Sequence, residues 1–354
     1  AGLGYIKLTD FTTNAGKEVS AALKELTQQG ASKLILDLRG NPGGLLDEAI
    51  NVSNIFIPKG AEIVSTKGKL EEWTKVYSTK SQPVDAEIPL VVLTDRRSAS
   101  AAEIVAGVVQ DYDRGVLVGR KTYGKGLVQQ TRPLAYNAQL KVTTAKYYIP
   151  SGRCIQAIDY STESTAKIAD SLKSTFQTSS GRSVLDGGGV DPDILIAPSK
   201  FATVSYRLMQ KDLIFNYATK YYFDHDTLTS ARDFELSPPE FQQFLAWLGN
   251  QAFDYQTPLE IKLKQALDLA KETARSEQVH QSIIELKALL QSEKKKDLIQ
   301  YEGEIKQLLE QDIVSRYYLQ EGIIEASFDT DPDILKAVEI LEDSEAYDGI
   351  LKPN

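Results

Sequence analysis

Three features of this 354-residue chain have types and placing suited to covalent chemistry: a serine at the start of a helix, a lysine between glycines, and a Gly-Gly turn. The segment Asp95-Arg96-Arg97-Ser98-Ala99-Ser100-Ala101-Ala102-Glu103-Ile104 lies where a buried strand gives way to a helix. The first N–H groups of a helix lack intrahelical acceptors, so a serine hydroxyl there stands beside donors that stabilise negative charge on a substrate oxygen. A serine nucleophile also needs a base. The only histidines, His225 and His280, both fall in the second half of the chain, and lysine is the other documented partner. A lysine serves as a base only when neutral, which requires its pKa to drop from about 10.4 to about 7 or 8 and therefore requires burial. Lys125 in Thr122-Tyr123-Gly124-Lys125-Gly126-Leu127 suits this role, because its flanking glycines admit close approach of another element and an apolar strand follows. The Gly43-Gly44 turn supplies free N–H groups for an oxyanion site. Taken singly, each has a structural reading: a helix cap, a solvated turn lysine, an ordinary strand-to-helix turn. A phosphate loop is disfavoured, since no Gly-x-x-x-x-Gly-Lys-Ser/Thr occurs and Leu127 follows Gly126.

The elements that must position these residues alternate. Gly4 to Thr9 reads as a strand, and Asn14 caps a helix carrying Val19, Leu23 and Leu26 that ends at Gly30. Lys33 to Leu38 is a buried strand, and the loop Arg39-Gly40-Asn41-Pro42-Gly43-Gly44 leads into a helix through Leu45, Leu46, Ala49, Ile50 and Val52. The unit recurs as a strand at Ile88 to Leu93, a helix at Ala101 to Asp111 and a strand at Gly115 to Gly119. This order implies an α/β layer with parallel pairing and functional groups at the carboxyl ends of strands. Leu127 to Leu134 and Gln139 to Tyr148 form an expected hairpin. Ser161 to Ser183 reads as a polar insertion, and Asp186 to Gly189 as an irregular turn. After about residue 200 the pattern is helical, with Ser237-Pro238-Pro239-Glu240 in capping-box spacing and apolar stripes that read as packing faces. Lys294-Lys295-Lys296 reads as a solvated helix face, and His225 and His280 as surface, interface or helix-face residues.

Composition narrows the function classes. Forty Lys plus Arg against 49 Asp plus Glu leave a net charge of −9, which disfavours a general nucleic-acid binder or a basic membrane-surface protein. One cysteine, Cys154, rules out an internal disulfide and a cysteine-ligated zinc cluster, and two histidines leave little room for a His-rich metal site. No cofactor is called for. Length divided by about 150 residues per domain anticipates two domains, placed at 1–199 and 200–354. The start at Ala1-Gly2-Leu3-Gly4, with no initiator Met or signal segment, reads as a fragment or processed product.

Ordered blocks then resemble the C-terminal processing peptidases, or tail-specific proteases: Gly4-Tyr5-Ile6; Leu36-Asp37-Leu38-Arg39-Gly40-Asn41-Pro42-Gly43-Gly44; Ser98-Ala99-Ser100-Ala101-Ala102-Glu103-Ile104; Gly119 through Gln129; Tyr148-Ile149-Pro150-Ser151-Gly152-Arg153; and Gly188-Gly189-Val190-Asp191-Pro192-Asp193-Ile194. They cover most of residues 4 to 197. The resemblance implies a ClpP/crotonase-like spiral of strand-helix units followed by a mainly helical C-terminal region. In the family a lysine 25 positions after the nucleophilic serine removes its proton, which implies Ser100 and Lys125 rather than Ser98. It further implies Gln129 as the residue that orients the lysine, and the N–H groups of Gly44 and Ala101 as oxyanion donors. The family commonly has serine where this chain has Ala102, and normally carries a PDZ domain before the strand at Gly4, which these residues lack.

The resemblance thus implies a serine endopeptidase with a Ser100/Lys125 dyad, acting on protein or peptide substrates with accessible, apolar C-terminal tails, in an extracytoplasmic setting such as a bacterial periplasm. A homo-oligomer is compatible with it. Two alternatives stay open: a catalytically idle ligand- or peptide-binding module on the same fold, favoured if Lys125 is solvated or distant from Ser100, and an acyl-thioester enzyme on the same spiral.

Overall fold

The structure is a computed structural model that describes residues 2–158, 169, 171, 173–198, 200–273, 275–294 and 296–352. Its described residues divide into two compact units, Ala1–Ala197 with Pro332–Asn354, and Pro198–Asp331. Residues 332–354, which the sequence reading placed in a domain at 200–354, group with the first unit rather than with the helical region.

In chain order the first unit contains β1 (Leu3–Lys7), α1 (Ala15–Gln28), β2 (Lys33–Asp37), α2 (Leu46–Ser53), β3 (Glu62–Gly68), β4 (Lys75–Ser78), β5 (Leu90–Thr94), α3 (Ala101–Asp111) and β6 (Val116–Gly119). It continues with β7 (Leu127–Pro133), β8 (Gln139–Tyr148), β9 (Thr175–Gln177), β10 (Ser183–Leu185) and β11 (Ile194–Leu195). A five-stranded sheet runs β1-β2-β5-β6-β11 with every pairing parallel. Its central strands, Lys-Leu-Ile-Leu-Asp and Leu-Val-Val-Leu-Thr, are almost wholly buried, the continuous apolar pattern of a strand covered on both faces. The resulting fold is mixed α/β, a sheet-and-helix core joined in sequence to a helical region, as expected. Helix α3 is buried along its whole length, so its start is held rigidly against the sheet.

A second, antiparallel sheet has the order β4-β3-β8-β7. Its hairpin β7–β8 was legible, whereas β3 and β4 were not, since Glu, Lys, Ser and Thr alternate there on half-exposed strands. The polar stretch from Ser161 to Ser183 lies in part outside the described residues (161–168, 170 and 172), and its later part forms β9, paired with β10. Asn14 does not cap α1 through its side chain; its backbone is left-handed at φ 79°, and the N–H of Gly16 donates to Glu48 Oε2 at 2.8 Å.

Below the carboxyl end of β2, a charge network pins the loop that follows. The buried Asp37 accepts hydrogen bonds from Tyr5 Oη (2.6 Å), Lys7 Nζ (3.1 Å) and Arg39 Nη2 (2.8 Å), and Arg39 also binds Asp333 at 2.9 Å. Burial raises the Asp37 carboxyl, but hydrogen bonding and charge from Arg39, with Lys7 and Tyr5, outweigh it and hold the group below its ordinary value. Asp333 starts α11 (Pro332–Glu342), which with α12 (Ser344–Leu351) packs on β5 and β6. Tyr347 of α12 accepts the Leu90 N–H at 2.9 Å, which anchors this return to the first unit.

The second unit is helical: α4 (Thr203–Gln210), α5 (Leu213–Asp224), α6 (Pro238–Gly249), α7 (Pro258–Glu272), α8 (Glu277–Lys294), α9 (Asp297–Gln300) and α10 (Glu302–Ser327). Helices α4, α5, α6 and α10 share a core of Leu208, Tyr217, Phe241, Phe244, Leu309 and Ile313, among others. The expected capping box at Ser237 is formed, with its N–H donating to Glu240 at 2.8 Å. Lys294 departs from the solvated reading: it is only 14% exposed and binds Glu260 at 3.3 Å and Asp254 at 3.0 Å, because the buried carboxylate capping α7 needs a counter-charge. Lys296 is exposed as expected, and Lys295 lies outside the described residues.

Candidate active site

Ser100 occupies the N-cap of α3, on the turn that leaves the carboxyl end of β5. Its backbone has φ 56° and ψ −113°, a region costly for a residue with a Cβ by about 1–3 kcal/mol. That conformation makes the strand-to-helix turn sharp and presents a small polar side chain at its apex. Ser98, two residues earlier, is fully buried, and its Oγ donates to the Leu38 carbonyl at 2.8 Å. The serine that the resemblance implied is therefore the one not sealed inside the fold.

Beside Ser100 lies the loop of Gly43 and Gly44. Asn41 knots it in place, since its carbonyl accepts the Ala99 N–H at 2.9 Å and its side chain accepts the Gly43 N–H at 2.8 Å. Gly43 has φ 97°, and a Cβ there would fall 2.6 Å from Ala99 O and 2.9 Å from Ala101 N, so only glycine permits this approach. Among the described residues, neither the Gly44 N–H nor the Ala101 N–H has an acceptor; Ala101 follows Ser100 directly, and Gly44 follows the glycine that packs against Ser100. An unclaimed pair of donors beside a hydroxyl is what a tetrahedral oxyanion requires. Replacing Gly43 by Ala is expected to push the loop off Ser100 and lower any Ser100-dependent turnover by about 10²-fold, the usual loss for one oxyanion donor. Paired rate and circular-dichroism measurements check it; an unaltered rate with an unaltered fold would remove this loop from the site.

Lys125 reaches the same neighbourhood from the segment before β7. Gly124, at φ 89°, lies so close to Ala157 that a Cβ would come within 2.4 Å of that side chain. Residues Lys125, Leu127 and Gln129 alternate along one face and line a cleft of about 790 Å³, while Val128 turns to the core. A register irregularity in the β7–β8 ladder falls between Val128 and Gln129. The sequence required a buried lysine, but Lys125 is half-buried at the cleft wall and its ammonium makes no hydrogen bond to the Ser100 hydroxyl. Gln129 is exposed on the same wall.

What joins the two segments is main chain held by two residues that sequence reasoning left without a role. Glu103 is fully buried; its Oε2 accepts the N–H of Ser100 and the N–H of Lys125, both at 2.8 Å. Its Oε1 accepts from Thr122 Oγ1 at 2.6 Å and from Gly124 N at 2.7 Å. Burial pushes this carboxyl above its ordinary value, against the hydrogen bonds from Thr122, Lys125, Gly124 and Ser100, which favour the ionised form. The buried Tyr147 hydroxyl donates to the Lys125 carbonyl and lies 3.2 Å from that of Ser100. Each of the two peptide segments is thus tied on both its N–H and its carbonyl. The Ser-x-x-Glu capping-box spacing was a legible signal for Glu103; nothing local marked Tyr147.

Neither histidine joins this arrangement; both belong to the second unit. The His225 ring stacks on Tyr221 at 3.9 Å with Nδ1 2.9 Å from the Tyr221 carbonyl, and His280 pairs loosely with Glu277 at 3.9 Å.

Residues 2–166 match peptidase family S41, and residues 204–341 match a probable PDZ-protease C-terminal helical domain. The chain is similar to a carboxy-terminal-processing protease of Bartonella bacilliformis, 44% identical over 160 residues, covering 44% of this chain and 37% of that protein. It is 37% identical over 161 residues to a chloroplastic C-terminal processing peptidase of Tetradesmus obliquus, covering 45% and 34%. A solved structure of a photosystem II D1 C-terminal processing protease aligns at 30% identity and a TM-score of 0.43, covering 56% of this chain and 43% of that one. The chain therefore spans little more than a third of the relatives it matches in sequence. The first unit is thus similar to peptidase family S41 over residues 2–166, and the relatives it matches in sequence are named as C-terminal processing proteases.

Proposed function

We propose that the chain is the catalytic part of a serine endopeptidase that cleaves protein substrates near their C-termini through a Ser100/Lys125 dyad. The observation that carries this reading is the pair of N–H groups without an acceptor among the described residues, Gly44 and Ala101, on the two segments that meet at the strained Ser100. In the reaction the Lys125 amine takes the hydroxyl proton as Ser100 Oγ bonds to the peptide carbonyl carbon, and the oxyanion rests on the two N–H groups. Lys125 then protonates the departing amine, the peptide C–N bond breaks, and an ester remains on Ser100. Deacylation repeats the cycle with water, whose proton passes to Lys125. Gln129, on the same face of β7, orients the lysine. Substrate filling the cleft excludes water around the half-buried amine and draws the two side chains together, as catalytic hydrogen bonds do on forming the substrate complex.

The test mixes the chain with a folded protein bearing an unstructured apolar tail and reads the products by mass spectrometry. Wild type is expected to release the tail and Ser100→Ala to leave it intact, a loss of about 10⁴-fold or more. Equal products from both would sink the assignment of Ser100. The open Ser100–Lys125 geometry favours one rival, the idle peptide-binding module; tail binding with no Ser100-dependent cleavage would select it.

A further inference from the structure

We infer that the hairpin of α7 and α8 is a self-association surface, on which a second copy of this chain packs to form a reversible dimer through a four-helix bundle.

The two helices run antiparallel, and the contact of Lys294 with Glu260 at 3.3 Å joins the end of α8 to the start of α7 at the base of the hairpin. Neither helix contributes a residue to the core shared by α4, α5, α6 and α10. Their own seam uses positions three and four apart, Leu263, Leu267 and Ala270 on α7 with Ile283, Lys287 and Leu290 on α8, each less exposed than its neighbours. A second apolar stripe stays uncovered. Leu259, Ala266 and Leu269 on α7, and Val279, Leu286 and Leu289 on α8, each stand one residue before a less exposed position. The four leucines and the valine are 42% to 59% exposed. In an antiparallel pair the flanks that precede the seam lie side by side, so both stripes fall on one face of the hairpin. Helix α8 makes the deficit plain: 18 residues with six branched aliphatic side chains, none of them buried. A helix of this kind draws its stability from packing of its apolar face.

A second copy is the occupant that this face matches. Charge on it is confined to the base, at Lys262 on α7 and at Glu293 on α8, the latter shared with the exposed Lys296. A two-fold axis along the hairpin lays α7 of each copy on α8 of the other, base to base. Lys262 then meets the partner's Glu293, Ala266 meets the partner's Leu289, and Leu269 meets the partner's Leu286, so charges pair and aliphatic side chains close on one another. An axis across the hairpin would instead set Lys262 against leucine and leave its ammonium unpaired. Two helices side by side, each about 10 Å across and at least about 22 Å long from the 15 residues of α7, give a footprint of roughly 450 Å² per copy. A pair therefore buries close to the about 1,000 Å² that a specific interface needs and far less than a permanent one, which makes the dimer reversible.

Sedimentation velocity on the full chain across the micromolar range is expected to show a monomer–dimer equilibrium that shifts with concentration. The double variant Leu269→Glu/Leu286→Glu is expected to raise Kd by about 100-fold or more while circular dichroism stays unchanged. Lys262→Glu is expected to weaken the dimer by about tenfold, and Lys262→Glu/Glu293→Lys to restore it, because the swap remakes the pair only between copies packed α7 on α8. Should the leucine variant unfold, the charge pair decides the matter. A chain that stays monomeric throughout, a dimer that a folded leucine variant retains, or a charge swap that fails to restore association overturns the inference. A monomer whose hairpin binds an added amphipathic helical peptide instead of itself assigns the face to a different partner and overturns it equally.

Discussion

Lys125→Met is expected to leave a folded chain that cleaves tail-bearing protein about 10⁴-fold more slowly or worse, the scale on which serine hydrolases lose rate when the proton acceptor is removed. The fold survives because the contacts that hold this position are main-chain: its N–H on Glu103 at 2.8 Å and its carbonyl under Tyr147. Methionine has similar reach and tolerates a half-buried wall, so the melting temperature is expected to move by less than about 4 °C. Lys125→Arg separates two roles for the same charge. Arginine stays protonated at any working pH and cannot accept the serine proton, so it too is expected to be inactive. An arginine variant that keeps full rate would show that Lys125 positions substrate by charge, and the dyad would fall.

Glu103→Gln is expected to damage stability and rate together, although the two side chains have nearly the same shape. Each carboxylate oxygen accepts two hydrogen bonds, Oε2 from Ser100 N and Lys125 N, Oε1 from Thr122 Oγ1 and Gly124 N. An amide turns one of those acceptors into a donor. If it faces the first pair, two peptide N–H groups lose their partner; if it faces the second, Thr122 can rotate its hydroxyl but Gly124 cannot move its N–H. Buried donors left unpaired cost roughly 1–3 kcal/mol each, so a loss of about 3 kcal/mol is expected in urea unfolding. The rate is expected to fall by about 10²-fold, because the serine and lysine segments are no longer tied to one atom and shifts near 1 Å carry penalties of that size. Thr122→Ala leaves the carboxylate intact but removes its hydroxyl donor and the acceptor of the Val190 N–H, so it is expected to cost stability while leaving the Ser100 and Lys125 N–H groups paired. A Glu103→Gln chain with wild-type rate and stability would show that the clamp does not set the geometry of the site.

Much of the architecture was legible because burial leaves a local record. β2 and β5 are wholly covered, so their residues had to be apolar in unbroken runs, and the helices between them carry stripes at helical spacing. The antiparallel partner sheet was only half legible. Its strands β3 and β4 are partly exposed, and polar residues there obey no buried pattern. The return of residues 332–354 was not legible at all: α11 and α12 are amphipathic like the helices before them, and what separates them is a set of distant partners, Asp333 with Arg39 and Tyr347 with Leu90.

The candidate site divides in the same way. From the sequence alone came Ser100, Lys125 and the glycine turn as candidates, because each answers a local chemical demand: a hydroxyl at a helix start, an amine where no imidazole lies nearby in sequence, a backbone free of Cβ clashes; Gln129 came only from the resemblance. Only the tertiary structure decided that Ser98 is sealed, that Ser100 is strained open, that Lys125 is half-buried on a basic cleft, and that Glu103 and Tyr147 bind both reacting segments at once. Most of those properties depend on groups that meet across 22 to 60 residues of chain, as Lys125 with Glu103 and Ser98 with Leu38, a separation at which local periodicity carries no information.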